Sequence, residues 1–181
     1  MNTERLTQRS TQAIQAAQSL ATSYGSPQLT PDHLLLALLT QEDGLIPQLI
    51  DRAGGNKAAM LSSAQQAAES QPKVSGPGRE PGKIYVSGEL DRCLNEAEKA
   101  ASEMKDEYVS VEHLFLGLLA APTAAVSAAL KAGGVDKNSF LKALMAVRGN
   151  QRVTSPDPEG SYNALEKYGS DLVQRARKQQ L

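Results

Sequence analysis

Apolar residues recur along this chain at helical spacing, and the whole pattern is written twice. Leu6, Ala13, Ile14, Ala17, Leu20 and Ala21 share one face of a helix expected from Glu4 to Ser23, with Thr3 as its cap. Tyr24-Gly25-Ser26-Pro27 stops it. A second helix is expected from Thr30, with Pro31 at the first helical position, where a missing N–H costs nothing. Leu34, Leu35, Leu36, Leu38 and Leu39 surround that helix, so it should be buried on most sides. Leu45, Ile46, Leu49 and Ile50 mark a short third helix closed by Ala53-Gly54-Gly55. A fourth spans about Lys57 to Ser70, with Met60, Leu61, Ala64 and Ala67 facing inward.

A break follows. Pro72, Pro77 and Pro81 alternate with Gly76, Gly78 and Gly82, which reads as a loop, and Ile84 and Val86 are placed extended against the domain. The pattern then restarts. Ser87 caps a helix with the stripe Leu90, Leu94, Ala97, Ala101 and Met104. The heptapeptide His33–Leu39 recurs as His113–Leu119 with five of seven positions identical, each copy behind a helix-start signal, Thr30-Pro31-Asp32 or Ser110-Val111-Glu112. Thr123 to Ala132 forms a third helix ended by Gly133-Gly134, and Asp136 to Arg148 a fourth with Phe140, Leu141, Leu144 and Met145 inside. Each half reads long, short, short, medium. The expected fold is therefore all-α, two four-helix repeats related by a pseudo-twofold. They should pack around the two nearly all-apolar helices, which their own neighbours cannot cover.

Composition sharpens this picture. Aromatic residues are only 4% of the chain and there is no Trp, so alanine and leucine must build the interior, as in close-packed helices. The formal net charge is -1 with both signs mixed, which argues against nucleic acid or an anionic membrane as partner. The single Cys93 cannot form an internal disulfide, and no stretch is apolar enough to span a bilayer. A cytoplasmic protein is the expectation. After Arg148 the chain turns polar through Gly160, with Pro156 and Pro158. A helical period resumes at Leu165, Tyr168 and Leu172, like the first piece of a further domain.

The double repeat resembles the Clp N-terminal domain of the AAA+ unfoldases. The tail Arg148-Gly149-Asn150-Gln151-Arg152-Val153-Thr154-Ser155, followed by Tyr162 to Leu172, resembles the linker and opening helix of the first ATPase module in the ClpB branch, as does Glu4-Arg5-Leu6-Thr7. Ser170 departs from the basic residue more usual in that motif. The resemblance covers the whole chain. It implies a repeat domain over residues 1–148 (first repeat about 4–70, loop 71–86, second repeat about 87–148). A mobile linker, 149–160, and the start of the first AAA+ module, 161–181, would follow. The resemblance also implies a homohexameric parent that threads polypeptide and cooperates with a DnaK-type chaperone system.

Candidate chemistry is sparse. A phosphate loop needs Gly, four residues, then Gly-Lys-Ser/Thr; the nearest match, Gly82-Lys83, has Pro77 and Ile84 at two required positions. No ATPase activity and no cofactor are expected of this chain, ATP and Mg²⁺ belonging to the parent's modules. His33, His113 and Cys93 are too few for a structural zinc site, and each histidine is expected to make local hydrogen bonds in the first turn of its helix. Cys93 reads as a small buried residue. Glu96, Glu98, Glu103, Asp106, Glu107 and Glu112 alternate with Lys99 and Lys105, which reads as a solvated face.

The family resemblance places Thr7, Asp106 and Glu112 where ClpB domains carry polar residues linked to chaperone activity, supporting a peptide-binding surface. Leu94, Ala97 and Val109 are the candidates for an apolar groove, against a reading of each as core. The function expected from the resemblance is capture of unfolded or aggregated polypeptide by a monomeric, non-enzymatic domain. Clients would then pass to the hexameric motor during stress recovery. The alternative is an adaptor-docking module like those of protease-linked Clp unfoldases.

Overall fold

A computed structural model describes residues 3–73, 84–159 and Tyr162. Eight helices follow in order: α1 Gln8–Ser23, α2 Pro31–Thr40, α3 Leu45–Arg52, α4 Lys57–Glu69, α5 Gly88–Glu103, α6 Val111–Ala120, α7 Ala124–Gly133 and α8 Lys137–Arg148. Two short strands, β1 Gln28–Leu29 and β2 Tyr85–Val86, pair in parallel. The expected all-α double repeat is the observed architecture. The expected start of a further helix, Ser161 to Leu181, lies outside the described residues apart from Tyr162, as does the Pro/Gly stretch 74–83.

The helix starts follow from local chemistry. Thr7, Asn56, Ser87, Thr123 and Asp136 each accept a backbone N–H with the side chain, satisfying a donor the helix cannot. The first of these corrects the expected Thr3 cap: Thr3–Arg5 form a separate 3-10 turn, and α1 begins behind Thr7. The break arises because Leu6 is drawn into a β-bridge with Val109, which forces extended backbone there.

The pseudo-twofold is visible in the hydrogen bonding. Leu6, ahead of α1, pairs with Val109, ahead of α6. In matching register Val86, ahead of α5, pairs with Leu29, ahead of α2. Thr7 N–H donates to Val109 O at 3.1 Å, and Ser87 N–H donates to Leu29 O at 3.0 Å. The repeats are thus interlocked. Packing is interlocked too: α4 lies on α7 and α3 on α8, while α2 and α6 meet at the centre. Every position of α2 from Pro31 to Leu39 is buried, as the leucine run requires. Phe115 of α6 and Phe140 of α8 pack with their rings tilted by 32° and 4.5 Å between centroids.

Two inward assignments shift, one by a single position and one by two. On α4 Ala68 is fully buried where Ala67 was expected, and on α8 Ala143 takes the place expected of Met145, which is 49% exposed. In both cases crossing helices cover a stripe narrower than the apolar pattern suggests.

Candidate functional sites: a seam groove and a buried polar node

An apolar groove of about 280 Å³ opens on the seam between the repeats, between α1 and α5. Ile14 of α1 and Leu94, its counterpart on α5, face each other across it. Leu6 and its counterpart Val86 line it as well, with Leu29, Leu34 and Leu90 below and Gln18 and Asp91 at the rim. Leu94 is partly buried and Val86 is half exposed, so both have surface to offer a ligand. Ala97 and Val109 do not: each is 0% exposed. They are corrected here from groove to core. Ala97 is sealed by α6 crossing α5, and Val109 by its ladder to Leu6.

The second site is a buried polar node at the head of α6. Its members come from distant parts of the chain: Thr7 at the start of α1, Asp106 between α5 and α6, Glu112 and His113 in the first turn of α6, Arg148 at the end of α8, then Glu159 and Tyr162. All are at least nine-tenths buried. Thr7, Asp106 and Glu112, the polar residues singled out above, are thus brought together but cannot touch a client from where they sit. The solvated-face reading is corrected for Asp106 and Glu112, whose side chains are fully buried because Arg148 comes back to meet them.

The local geometry is specific. Ser110 N–H donates to His113 Nδ1 at 2.9 Å, half of a capping box with histidine in the place of glutamate. Nδ1 is then an acceptor, so Nε2 carries the proton toward Asp106 Oδ2, 2.7 Å away. Arg148 Nη2 and Val153 N–H both donate to Asp106 Oδ1. Burial works against the Asp106 charge, but the bonds from His113, Arg148 and Val153 outweigh it and hold the carboxyl down at about 2. Arg148 is held charged in turn; burial opposes its charge, and the bond to Asp106 and the field of Glu112 overcome that opposition. Arg148 Nη1 lies 3.7 Å from Glu112 Oε1 as an ion pair, and Ser110 Oγ donates a hydrogen bond to the same oxygen.

Glu159 is the odd member. Thr7 Oγ1 donates to its Oε1 at 2.7 Å and Val111 N–H at 3.1 Å. Burial, and then the nearby Glu112, push its carboxyl up to about 7. Glu112 Oε2, Arg148 Nη1, Glu159 Oε2 and Tyr162 Oη have no hydrogen-bond partner among the described residues.

Both histidines make the expected first-turn hydrogen bonds, but the His113 bond to Asp106 reaches further than local reading allows. Cys93 is buried, its Sγ 3.2 Å from Ala121 O, and burial pushes the thiol up to about 11. Sequence reasoning missed Arg148 and Glu159 as members of the node. The signal that existed was imbalance: Asp106 and Glu112 sit beside strongly apolar runs, where a carboxylate needs a cation from elsewhere.

The family model for the Clp repeat (R) N-terminal domain matches residues 5–161. The chain belongs to that family. It is 42% identical to the chaperone protein ClpB of Nitratidesulfovibrio vulgaris over 100% of its own length and 21% of that protein's. It is 41% identical to ClpB of Rhodopseudomonas palustris over 98% of its own length and 20% of that protein's. The chain thus spans about a fifth of these relatives and corresponds to their Clp N-domain, which is not their ATPase module. The Hsp104 N-terminal domain from Candida albicans superposes with a TM-score of 0.73 at 24% identity, covering 85% of this chain and 98% of that one, and it shows the shared fold. No single helix among the described residues is long and apolar enough to cross a membrane.

Proposed function

We propose that this domain binds unfolded or aggregated polypeptide at the seam groove, as the protein-binding module of a ClpB-type disaggregase. The observation that carries the reading is the groove itself, which sets Ile14 and Leu94 face to face over an apolar floor. Non-native chains differ from folded ones by exposed apolar side chains, and a shallow apolar groove rewards their burial at about 25 cal/mol per Å² without reading sequence. A groove that accepts one or two side chains gives weak binding, suited to a domain that must hand its client on. In the longer protein the client would pass to a hexameric ATP- and Mg²⁺-dependent motor that works with a DnaK-type system. Relatives named ClpB favour this reading over adaptor docking.

The test is an NMR titration of the chain with a soluble unfolded polypeptide, comparing Leu94→Asp with Met145→Asp. Met145 is a large exposed apolar residue on α8 that does not line the groove. Leu94→Asp removes about 1.5 kcal/mol of burial and adds a charge to desolvate, so affinity should fall by about tenfold or more. Met145→Asp should leave it unchanged. Equal losses in the two variants, or shifts that map away from Ile14 and Leu94, would reject the groove. Saturable binding of a folded partner alone would favour adaptor docking. Val109→Asp is the folding control: it buries an unpaired charge and should abolish native circular dichroism.

A further inference from the structure

Residues 151–159 leave α8 in a polar, proline-bearing stretch, yet they do not run free. Glu107 N–H donates to Val153 O and Gln8 N–H to Pro156 O, each at 2.8 Å. Val153 N–H reaches Asp106 at 3.0 Å. Val153 is 0% exposed and Glu159 is 1% exposed. The segment therefore closes a circuit over the heads of two helices. Pro156 O satisfies the first N–H of α1, and Glu159 satisfies the first N–H of α6, donors that the helices themselves leave unpaired.

We propose that the head of α6 is a docking site for the chain's own exit segment, residues 151–159, and that Thr7, Asp106 and Glu112 act by governing whether that segment is held or released. Each of the three meets the segment or its anchor. Thr7 donates to Glu159, Asp106 accepts from Val153 and Arg148, and Glu112 sits between Arg148 and Glu159. The role is separate from client binding in the seam groove and does not rest on it. Docking fixes the direction in which the chain leaves the domain; release frees it.

The contact is built to be reversible. Three carboxyl groups, Asp106, Glu112 and Glu159, face a single guanidinium, Arg148, with His113 bound to Asp106 and the Tyr162 phenol alongside. Asp106 takes the close bond of Arg148, so Glu159 docks most readily without charge. Its carboxyl titrates at about 7 when docked against an ordinary value of 4.5. Docking is accordingly strongest below the ordinary value, weakens as pH rises through the interval, and levels off above about 7, where both states are ionised.

The test is amide hydrogen exchange on the 181-residue chain, read as protection factors for Gln8, Glu107 and Val153 against those of α2, from pH 4.5 to 8. The expected result is joint loss at the three amides, approaching about tenfold per pH unit in the middle of the interval, and a plateau above it. The α2 amides should not follow. Glu159→Gln should flatten the profile at the three amides, and Val153→Asp should expose them at every pH while α2 stays protected. The proposal is overturned if the three amides open only with α2, if Glu159→Gln leaves their profile unchanged, or if Val153→Asp unfolds the whole domain by circular dichroism. That last result would make the segment a fixed part of the core.

Discussion

The two histidine sites occupy the same backbone and do different chemistry. In the first repeat His33 Nδ1 accepts from Thr30 N–H at 3.0 Å and Nε2 faces Ser26 Oγ at 3.3 Å. In the second, His113 Nδ1 accepts from Ser110 N–H and Nε2 faces Asp106. Ser26 and Asp106 stand at the same distance in sequence before their histidines, and each backbone N–H closes onto α1 or α5 in the same way, to Ala21 O and Ala101 O. The acids that follow the caps correspond too. Asp32 accepts from Gln71 just after α4, and Glu112 lies against Arg148 at the end of α8. Duplication kept the scaffold, a histidine that closes a helix start and a chain end that returns to the acid beside it. Only the second copy sets a carboxylate against the histidine and returns a guanidinium to it, and only there does an exit segment seal the site among the described residues.

The sharpest way to break this comparison is to delete the residue that differs. Asp106→Ala leaves the Arg148 guanidinium buried without its closest partner, along with the His113 Nε2 and Val153 donors. The expected loss is about 3–5 kcal/mol. Ser26→Ala removes one neutral partner from His33 and should cost about 1 kcal/mol. Urea unfolding of the two variants measures both. Losses within about 1 kcal/mol of each other would mean that the charge adds nothing to the shared scaffold.

How tightly the paired helices cross gives a second contrast. Gly117 of α6 comes so close to α5 that an added Cβ would lie 2.2 Å from Cys93 O, a backbone atom that cannot step aside. The matching position of the first repeat is Ala37, which is buried without difficulty. Gly117→Ala should therefore destabilise by about 1–3 kcal/mol although alanine favours helix. Ala37→Gly should cost about 1 kcal/mol through propensity alone. A Gly117→Ala variant as stable as the parent would show that α5 and α6 can separate without cost.

The helical frame was legible because each element carries its own signal. The leucine run of α2, the Ala-Gly-Gly stops and the Ser87 and Asp136 caps are local, and the repeat states each of them twice. The polar node was not legible for the opposite reason. Arg148 pairs with Asp106 across 42 positions and Glu159 with Thr7 across 152, and nothing periodic announces either. The exit segment reads as a linker because the residues it buries, Val153, Pro158 and Glu159, and the backbone groups it pairs make no stripe. The groove sat between these cases: Leu94, Ala97 and Val109 all belong to the apolar pattern, and only tertiary contacts, the crossing of α6 over α5 at Ala97 and the Leu6 bridge at Val109, decide which of them sees solvent.

Acid separates the two sites by the pH range in which each loses its contribution. Burial lowers His33 to about 4 from an ordinary 6.5, so its contribution is whole above 6.5 and is lost as pH falls toward 4. Asp106, held near 2 from an ordinary 3.8, keeps its contribution down to about 3.8 and loses it as the pH falls from there toward 2. Over the same range the raised Glu159 carboxyl acts in the opposite direction, so the melts are compared in a Glu159→Gln background: there they should decline between pH 7 and 4 through the first site, and His33→Gln should flatten the decline while Asp106→Asn should not. A His33→Gln profile parallel to that of the parent would remove His33 as its source.

The smallest contrast lies one residue before Ser26 and Asp106, where the chain turns out of α1 and α5. Both positions are left-handed, Gly25 at φ 69° and Lys105 at φ 59°. Glycine adopts this conformation freely; for lysine the Cβ crowds the following carbonyl at a cost of about 1 kcal/mol. The first repeat therefore ends its long helix without strain and the second does not. Lys105→Gly exchanges that strain for the greater freedom of glycine in the unfolded chain, and the balance should stabilise the domain by about 0.5 kcal/mol. Gly25→Lys should destabilise by about 1 kcal/mol, since it imposes on the first repeat the strain the second already bears. The pair is read from the two urea midpoints at constant slope. If Lys105→Gly destabilises instead, the lysine side chain contributes a surface contact stronger than the backbone strain, and the second repeat has compensated at this position too.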